Sequence, residues 1–127
     1  MPVQRISSGS EFEKVAGFSR AIVDDRYVHV SGTTGFDYAG MTIADDVVEQ
    51  THQAFRNITN ALAKAGCTLD HVVRVRCYLT DRADFEKVAP IFGQYLGRAR
   101  PANTTVVAQL VDPRMRIEIE VTARGSY

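Results

Sequence analysis

The sequence predicts a single α+β domain over residues 1–127, in which two helices cover one face of a six-stranded mixed sheet. Three observations predict this fold. The chain has 127 residues, which is close to the length of one domain of roughly 150 residues. Its apolar residues alternate in several short runs, as in strands, and recur at spacings of three and four in two longer runs, as in helices. These runs follow one another in the order β-β-β-α-β-α-β-β.

Three strands are predicted in the first third of the chain. Residues 3–7 alternate between apolar and polar and are followed by a serine- and glycine-rich turn. The runs at 18–23 and 27–32 are separated by three polar residues, which predicts an antiparallel hairpin. The sequence SGTTG at 31–35 ends the third strand. Residues 36–41 are predicted to form a loop.

Two helices are predicted, over residues 44–65 and 84–96, from their apolar periodicity. Gly66 follows the first helix, at the position where a left-handed residue commonly ends a helix. The same periodicity assigns Gln50 to the polar face of that helix. The second helix contains Pro90, which lacks a backbone donor and tends to kink a helix.

Three further strands are predicted, over residues 71–80, 103–110 and 115–123. In the first and last of these, apolar residues alternate with polar ones, so each strand has one apolar and one polar face. The polar faces carry Arg74, Arg76 and Tyr78 in one strand and Arg116, Glu118 and Glu120 in the other. Because such rows of charge must face water or another subunit, the helices are expected to cover only the opposite face.

Composition and charge exclude several classes of partner. Fifteen Lys and Arg balance fifteen Asp and Glu, so no net field attracts nucleic acid or anionic lipid. No run approaches the roughly 18 apolar residues of a membrane-spanning helix, and the N-terminus lacks the pattern of a secretion signal. We therefore expect a cytoplasmic protein with neither a nucleic-acid nor a membrane partner.

The residues themselves leave two interpretations of the charged strands open. Their arginines and glutamates form exposed cross-strand ion pairs, which are common and weak, or a partly buried glutamate acts as a general base. The three histidines and two cysteines lack the spacing of metal ligands. The sequence SGTTG also lacks the spacing and the lysine of a phosphate-binding loop. We therefore expect neither a metal nor a cofactor.

Several segments together resemble the Rid family, also called YjgF, of reactive intermediate deaminases. These are VSG at 30–32, AG at 65–66, HVVRVRCYLTDRADF at 71–85, RPANTTV at 100–106 and RIEIEVTA at 116–123. They occur in the family's order and spacing over nearly the whole chain. The resemblance implies a chorismate-mutase-like fold and a homotrimer with small-molecule clefts between subunits. It also implies a hydrolase of the enamine/imine deaminase type.

The resemblance further implies a set of site residues. In the deaminating members, an arginine in a Pro-Ala-Arg segment pairs with the substrate carboxylate, as suits a planar guanidinium, and the matching residue here is Asn103. The glutamate that positions the hydrolytic water is matched by Glu120. Glu120 and Asn103 are therefore the expected catalytic residues. The expected substrate-binding residues are Phe18, Ser31, Gly32, Thr33, Arg100 and Thr105.

Three functions are consistent with this pattern. The leading hypothesis is a small-molecule cleft that hydrolyses a C=N or amide-like bond of a substrate without a carboxylate, because the Asn103 amide suits a neutral group. The second is true 2-iminobutanoate/2-iminopropanoate-type deamination, with Arg100 replacing the family arginine. The third is a ligand-binding or regulatory protein without turnover. At this stage, whether the protein is an enzyme stays open.

Overall fold

The computed structural model describes residues 2–125, which build one six-stranded sheet with helices on one of its faces. The strands of this sheet are β1 (Gln4–Ile6), β2 (Ala21–Asp24), β3 (Tyr27–Thr34), β6 (Val72–Leu79), β7 (Ala102–Val107) and β8 (Ile117–Arg124). Two short strands, β4 (Phe36–Asp37) and β5 (Thr42–Ile43), form a separate hairpin. The helices are α1 (Glu11–Ala16), α2 (Val47–Lys64) and α3 (Phe85–Leu96), with short 3-10 turns at Leu69–His71 and Arg82–Asp84.

The strands are ordered β1-β2-β3-β8-β6-β7. All neighbouring pairs are antiparallel except β6 and β7, which are parallel and joined through α3. A parallel pair requires such a crossover, whereas the antiparallel β2 and β3 need only a short turn. The predicted α+β fold, with a mixed six-stranded sheet and two main helices, is confirmed. None of the described helices is long and apolar enough to cross a bilayer.

The core lies between the sheet and the long helices. In β8, Ile117, Ile119 and Val121 are buried on the helical side, while the intervening residues are only half-buried. From α2, Phe55 stacks on Tyr95 of α3, with 4.5 Å between ring centroids. Offset aromatic pairs of this kind add about 0.5–1.5 kcal/mol to the burial of their surface. The alternation seen in the sequence therefore determines which face of β8 the helices cover.

Helix α1 was not predicted by apolar periodicity, because it has only six residues. Its sequence signal is a capping box, in which the Ser10 side chain accepts from the Glu13 backbone and the Glu13 carboxylate accepts from the Ser10 backbone. Glu13 is buried, and it also accepts hydrogen bonds from Ser7 and Ser8. Burial alone would raise the pKa of Glu13, but these serine hydrogen bonds outweigh it and lower the pKa below its usual value.

Two residues of the long elements differ from the sequence prediction. Gln50 is fully buried rather than on a solvated face. Its amide nitrogen donates to the carbonyls of Ala44 and Arg114, at 2.7 and 2.8 Å, and its amide oxygen accepts from the Arg116 backbone at 2.8 Å. Gln50 thus connects α2 to the segment that enters β8. The alternation over residues 71–80 predicts Val73 on the apolar face of its strand. Val73 is nevertheless exposed, because the β6–β8 register shifts between Val72 and Arg74 and places Val72 in the core instead.

Candidate functional site

A cleft of about 480 Å³ opens between α1, the end of β3 and the start of β8. Its walls are largely apolar, and they include Phe12, Val15, Phe18, Tyr38 and Met115. Its polar lining comes from Ser31, Gly32, Arg20, Thr34 and Glu118. Apolar walls with a few converging polar groups are typical of a small-molecule site. Of the residues implied by the resemblance, Phe18, Ser31 and Gly32 line this cleft.

A β-bulge positions the Ser31–Gly32 segment at the cleft. Val30 lies opposite Val121 of β8, but Thr33 lies opposite Ile119, so β3 contains one extra residue between these pairs. The Ser31 backbone N–H donates to the Arg20 carbonyl at 2.9 Å, away from β8. The Ser31 hydroxyl donates to the carbonyl of Ser19 at 2.6 Å. These bonds fix the bulge and bring the Gly32 backbone to the cleft.

The Glu118 carboxylate lies directly against Gly32. A Cβ atom at position 32 would be 2.5 Å from Oε2 of Glu118 and 2.8 Å from its Cδ, so the observed arrangement requires glycine. Burial and the negative charge of Glu120 raise the pKa of Glu118, and the positive charge of Arg20 only partly opposes them. A carboxylate of raised pKa in a cleft is suited to general acid–base chemistry.

Glu120 lies on the same face of β8 but outside this cleft. It is opposite Arg76 in β6, and it borders a shallow groove with Arg74 and Arg76. Its carboxylate accepts a hydrogen bond from the Tyr78 hydroxyl at 2.5 Å, and this bond raises the pKa of Tyr78. Within residues 2–125, no ion pair joins the arginines of β6 to the glutamates of β8. The cross-strand ion pairs of the first of the two open interpretations are therefore not formed among the described residues.

Arg20 is a buried arginine at the base of the cleft, with only 2% of its surface exposed. Its Nη1 donates to the Gly32 carbonyl at 2.8 Å and to the Thr33 hydroxyl at 3.1 Å. Its Nε lies 3.8 Å from a Glu13 oxygen. The guanidinium carbon is 4.3 Å from the centroid of the Tyr38 ring, within the range of a cation–π contact. Arg20 therefore links α1, β3 and the aromatic wall of the cleft.

The structure places the other expected site residues elsewhere in the single chain. Asn103 and Thr105 lie on β7, where they line a separate pocket of about 200 Å³ with Ala89 and Phe92 of α3. The Thr105 hydroxyl donates to the Asn103 amide oxygen at 2.9 Å. Strands β6 and β8 separate β7 from β3. Within one chain, these two residues do not meet the cleft that contains Phe18.

Thr33 and Arg100 also lie outside the cleft. Thr33 is fully buried, and its hydroxyl donates to the Ser31 carbonyl at 2.7 Å while accepting from Arg20. Its role in the structure is to hold the bulge. Arg100 is exposed in the segment between α3 and β7 and has a positive φ of 48°.

Two residues at the cleft were missed by sequence reasoning. Glu118 and Glu120 both lie on the polar face of the same alternating strand. The alternation alone therefore does not show which of the two carboxylates lines a cleft. Arg20 stands immediately before an apolar strand. It fell within the strand predicted over 18–23, and no function was assigned to its side chain. The signal for it is a charged residue directly before the apolar residues 21–23, in a segment predicted to be a strand.

Comparison with known proteins identifies the family. Residues 8–125 match the family model described as endoribonuclease L-PSP. The chain belongs to this family. The L-PSP family relatives include the 2-iminobutanoate/2-iminopropanoate deaminase of Capra hircus, which is 34% identical over 95% of this chain and 90% of that protein.

Solved structures agree with the L-PSP family assignment. Rv2704 of Mycobacterium tuberculosis, a member of the YjgF/YER057c/UK114 family, is 40% identical and covers 97% of this chain and 99% of its own, with a TM-score of 0.88. RidA of the Antarctic bacterium Psychrobacter sp. PAMC 21119 is 29% identical, covers 95% of this chain and 98% of its own, and has a TM-score of 0.86. The resemblance to the Rid/YjgF family is thereby confirmed.

The cleft of this L-PSP family member combines a carboxylate, a guanidinium and a glycine backbone within an apolar wall. Among residues 2–125, no group of three or more His, Cys, Asp or Glu side chains is arranged to hold a metal ion. The described side chains of the cleft offer proton transfer by Glu118 and hydrogen bonding or charge stabilisation by Arg20 and Ser31.

Proposed function

We propose that this protein hydrolyses the C=N bond of a small imine, releasing ammonia, with Glu118 as the general base. The observation that carries the proposal is the Glu118 carboxylate, which has a raised pKa and lies against Gly32 in an apolar cleft. Similarity to the Capra hircus protein named 2-iminobutanoate/2-iminopropanoate deaminase supports the reaction class.

The reaction needs one proton acceptor that later becomes a donor. The imine reacts in its protonated form, after its nitrogen takes one proton from solvent. As a water oxygen forms its bond to the imine carbon, the electrons of the C=N π bond move onto nitrogen and Glu118 accepts a proton from that water. The protonated Glu118 then returns its proton to the nitrogen of the tetrahedral intermediate. The C–N bond breaks and ammonia leaves while the hydroxyl of the intermediate gives its proton back to solvent, so that imine plus water gives carbonyl plus ammonia. Such a base contributes about 10²–10⁴-fold to a rate.

Glu118, rather than the Glu120 that the resemblance implied, is the base in this proposal. Both carboxylates are half-buried on one face of β8. Glu120, however, already accepts a hydrogen bond from the Tyr78 hydroxyl and lies outside the cleft. In this proposal, Glu120 acts indirectly, since its negative charge raises the pKa of Glu118.

We further propose that the active form is a homotrimer whose neighbouring copies complete each cleft. Asn103 and Thr105 lie at the β7 edge of the sheet, and Phe18 and Ser31 lie on the far side of β8 and β6. A second copy that brings its β7 edge to the mouth of the cleft would join the two groups of residues. In that arrangement, Asn103 offers an amide donor to the substrate.

The test measures ammonia release from small imines that an amino-acid oxidase generates in the reaction mixture, together with neutral imines that carry no carboxylate. Wild type, Glu118→Gln, Glu120→Gln and Glu86→Gln are compared. Glu86 is exposed on α3 and serves as the matched control. We expect Glu118→Gln to lose at least about 100-fold in rate and Glu86→Gln to match wild type.

Each outcome decides a part of the proposal. A wild-type protein that releases no ammonia from any imine contradicts the hydrolase proposal and favours a ligand-binding protein without turnover. Loss of rate in Glu120→Gln with a fully active Glu118→Gln would assign the base to Glu120. Size-exclusion chromatography with light scattering measures the oligomer, and an active monomer would contradict the shared cleft.

A further inference from the structure

We infer that the pocket between α3 and β7 binds a small neutral molecule, holding a carbonyl group at the Asn103 amide and an aromatic ring or branched chain against the apolar walls. This pocket has a volume of about 200 Å³ and includes Asn103 and Thr105. The link to turnover rests on the proposed function. If neighbouring copies complete each cleft, the substrate class is an imine without a carboxylate that carries such a carbonyl and such an apolar group.

The walls of the pocket are mostly apolar. Phe85, Val88 and Phe92 of α3 line it, together with Cys77 of β6. Phe85 is 50% exposed, so an apolar ligand in the pocket would cover surface that otherwise faces water. A cavity of about 150 Å³ holds a benzene molecule. A volume of about 200 Å³ therefore has room for an aromatic ring with one small polar substituent.

The charges around the pocket favour a neutral ligand. No acidic or basic side chain is among the described residues that line it. Burial raises the pKa of the Cys77 thiol to about 12, so this part of the wall is uncharged near neutral pH. Arg100, the substitute anchor that the sequence suggested, lies before β7 and does not line the pocket. A carboxylate that entered would lose hydration without gaining a cation, which is unfavourable.

The Asn103 amide supplies the polar contact. Its oxygen accepts a hydrogen bond from the Thr105 hydroxyl at 2.9 Å, and within residues 2–125 no acceptor lies within hydrogen-bond distance of its nitrogen. Asn103 is exposed as well as lining the pocket, so a ligand there can reach the two N–H groups. Because an amide nitrogen donates and does not accept, the ligand group that it binds is an acceptor such as a carbonyl oxygen.

Thr105 is the positioning residue for this amide. Asn103 and Thr105 are two residues apart on β7 and therefore lie on the same face of the strand. Their partners in β6 are Val75 and Cys77, which are both buried, so this is the face that the helices cover. The hydrogen bond holds the amide oxygen toward Thr105 and leaves the nitrogen for a ligand. Thr104 lies between them on the opposite face and provides a matched control.

The test measures binding by nitrogen–proton correlation NMR of isotope-labelled protein. The side-chain NH₂ signals of Asn103, assigned from their loss in Asn103→Asp, report contact at this residue. Titrations compare benzamide with benzoate, which has the same ring and a negative charge, and with acetamide, which lacks the ring. We expect wild type to bind benzamide at least about fivefold more tightly than either of the others. Benzamide should also shift the Asn103 side-chain signals.

Four variants locate the contacts. Asn103→Asp keeps the shape of the side chain but loses both donors, so benzamide affinity should fall at least about fivefold. Thr105→Val should weaken binding about two- to fivefold, because the amide loses its hydrogen bond, and Thr105→Ser should restore it. Ala89→Leu fills the pocket that Ala89 lines and should abolish binding. Thr104→Val should match wild type.

Several results would overturn the inference. It is wrong if wild type binds no benzamide, binds benzoate as tightly, or binds benzamide without any shift of the Asn103 side-chain signals. It is also wrong if Asn103→Asp or Ala89→Leu keeps full affinity, or if Thr104→Val loses it. The wild-type titrations need no substitution, so they decide the question even if a variant does not fold.

Binding and ammonia release are measured separately, so each proposal can fail alone. Benzamide binding in a protein that hydrolyses no imine supports the pocket and contradicts the hydrolase. Ammonia release without benzamide binding supports the hydrolase and contradicts the pocket. If both activities are present, benzamide should inhibit ammonia release from neutral imines. Full turnover with the pocket saturated would contradict the link between this pocket and the cleft.

Discussion

Gly32→Ala tests whether the Glu118 carboxylate lies where the structure places it. The added Cβ would lie 2.5 Å from Oε2, 2.8 Å from Cδ and 3.2 Å from Cγ of Glu118. All three atoms belong to one flexible side chain, so the strain can be relieved by rotating Glu118 out of its position. Overpacking of a fixed neighbour costs about 1–3 kcal/mol. We expect Gly32→Ala to lower the free energy of unfolding by the lower end of that range, about 1 kcal/mol. The Glu118 carboxylate should also be displaced from its place in the cleft.

The assay is a double-mutant cycle in urea unfolding, with Gly32→Ala, Glu118→Ala and the pair. Truncation at Glu118 removes the three atoms nearest to the new Cβ, so Gly32→Ala should cost nearly nothing in that background. The coupling free energy is then about 1 kcal/mol, within the range for residues in contact.

Gly35→Ala is the matched control. A Cβ there would lie 2.5 Å from both Cα and Cβ of Gln50. These atoms cannot rotate away, and truncating Gln50 to alanine does not remove them. We expect Gly35→Ala to cost about 3 kcal/mol in both the wild-type and the Gln50→Ala backgrounds. The reasoning about Glu118 is refuted if Gly32→Ala is equally costly with and without the Glu118 side chain.

Three further predictions concern buried polar groups. Folding raises the pKa of Glu118, so the stability that Glu118 contributes is complete at acid pH and is lost as the pH rises through that raised pKa. Glu118→Gln should therefore have a higher melting temperature than wild type at about pH 8 but not at about pH 4. An equal difference at both pH values would contradict this prediction. Gln50→Leu leaves two carbonyls and one N–H without their hydrogen-bond partner, so the free energy of unfolding in urea should fall by about 3 kcal/mol. An unchanged free energy of unfolding would contradict this and show that water replaces the amide. Burial raises the pKa of Cys77 to about 12, so an aromatic disulfide reagent at about pH 8 should leave Cys77 unmodified in the folded protein and modify it in urea; rapid modification without urea would contradict its burial.

The long elements were predictable because their patterns are periodic. Helix α2 and strands β6 and β8 each bury one face along most of their length, and a repeated burial pattern is visible in the sequence. Helix α1 and the β4–β5 hairpin are too short to repeat a pattern. Their stability depends on contacts such as the T-shaped packing of Phe12 on Phe36, which joins residues far apart in sequence and leaves no local signal.

The candidate site was predictable only in its local part. The Ser31–Gly32 segment stands out in the sequence by its glycine, but the prediction that SGTTG ends the strand is wrong, because β3 continues through a bulge to Thr34. The choice between Glu118 and Glu120 depends on the β3–β8 register and its bulge, which no single strand encodes. Arg20 was missed because its partners, Glu13 and the Gly32 carbonyl, belong to separate elements. Asn103 was assigned from its match to a family position. Its location on the edge strand β7, two strands away from β3, depends on the strand order of the sheet, which the local sequence does not show.

The central position of β8 in the sheet has a consequence for folding during synthesis of the chain. β8 is the last strand in the described chain, yet it pairs with both β3 and β6. A nascent chain that stops short of residue 117 would therefore hold two separate sheet fragments, each with an unpaired edge that invites association. Insertion of β8 joins the fragments, and the same step delivers Glu118 to the cleft. Formation of the continuous sheet and assembly of the candidate site are thus one event during folding.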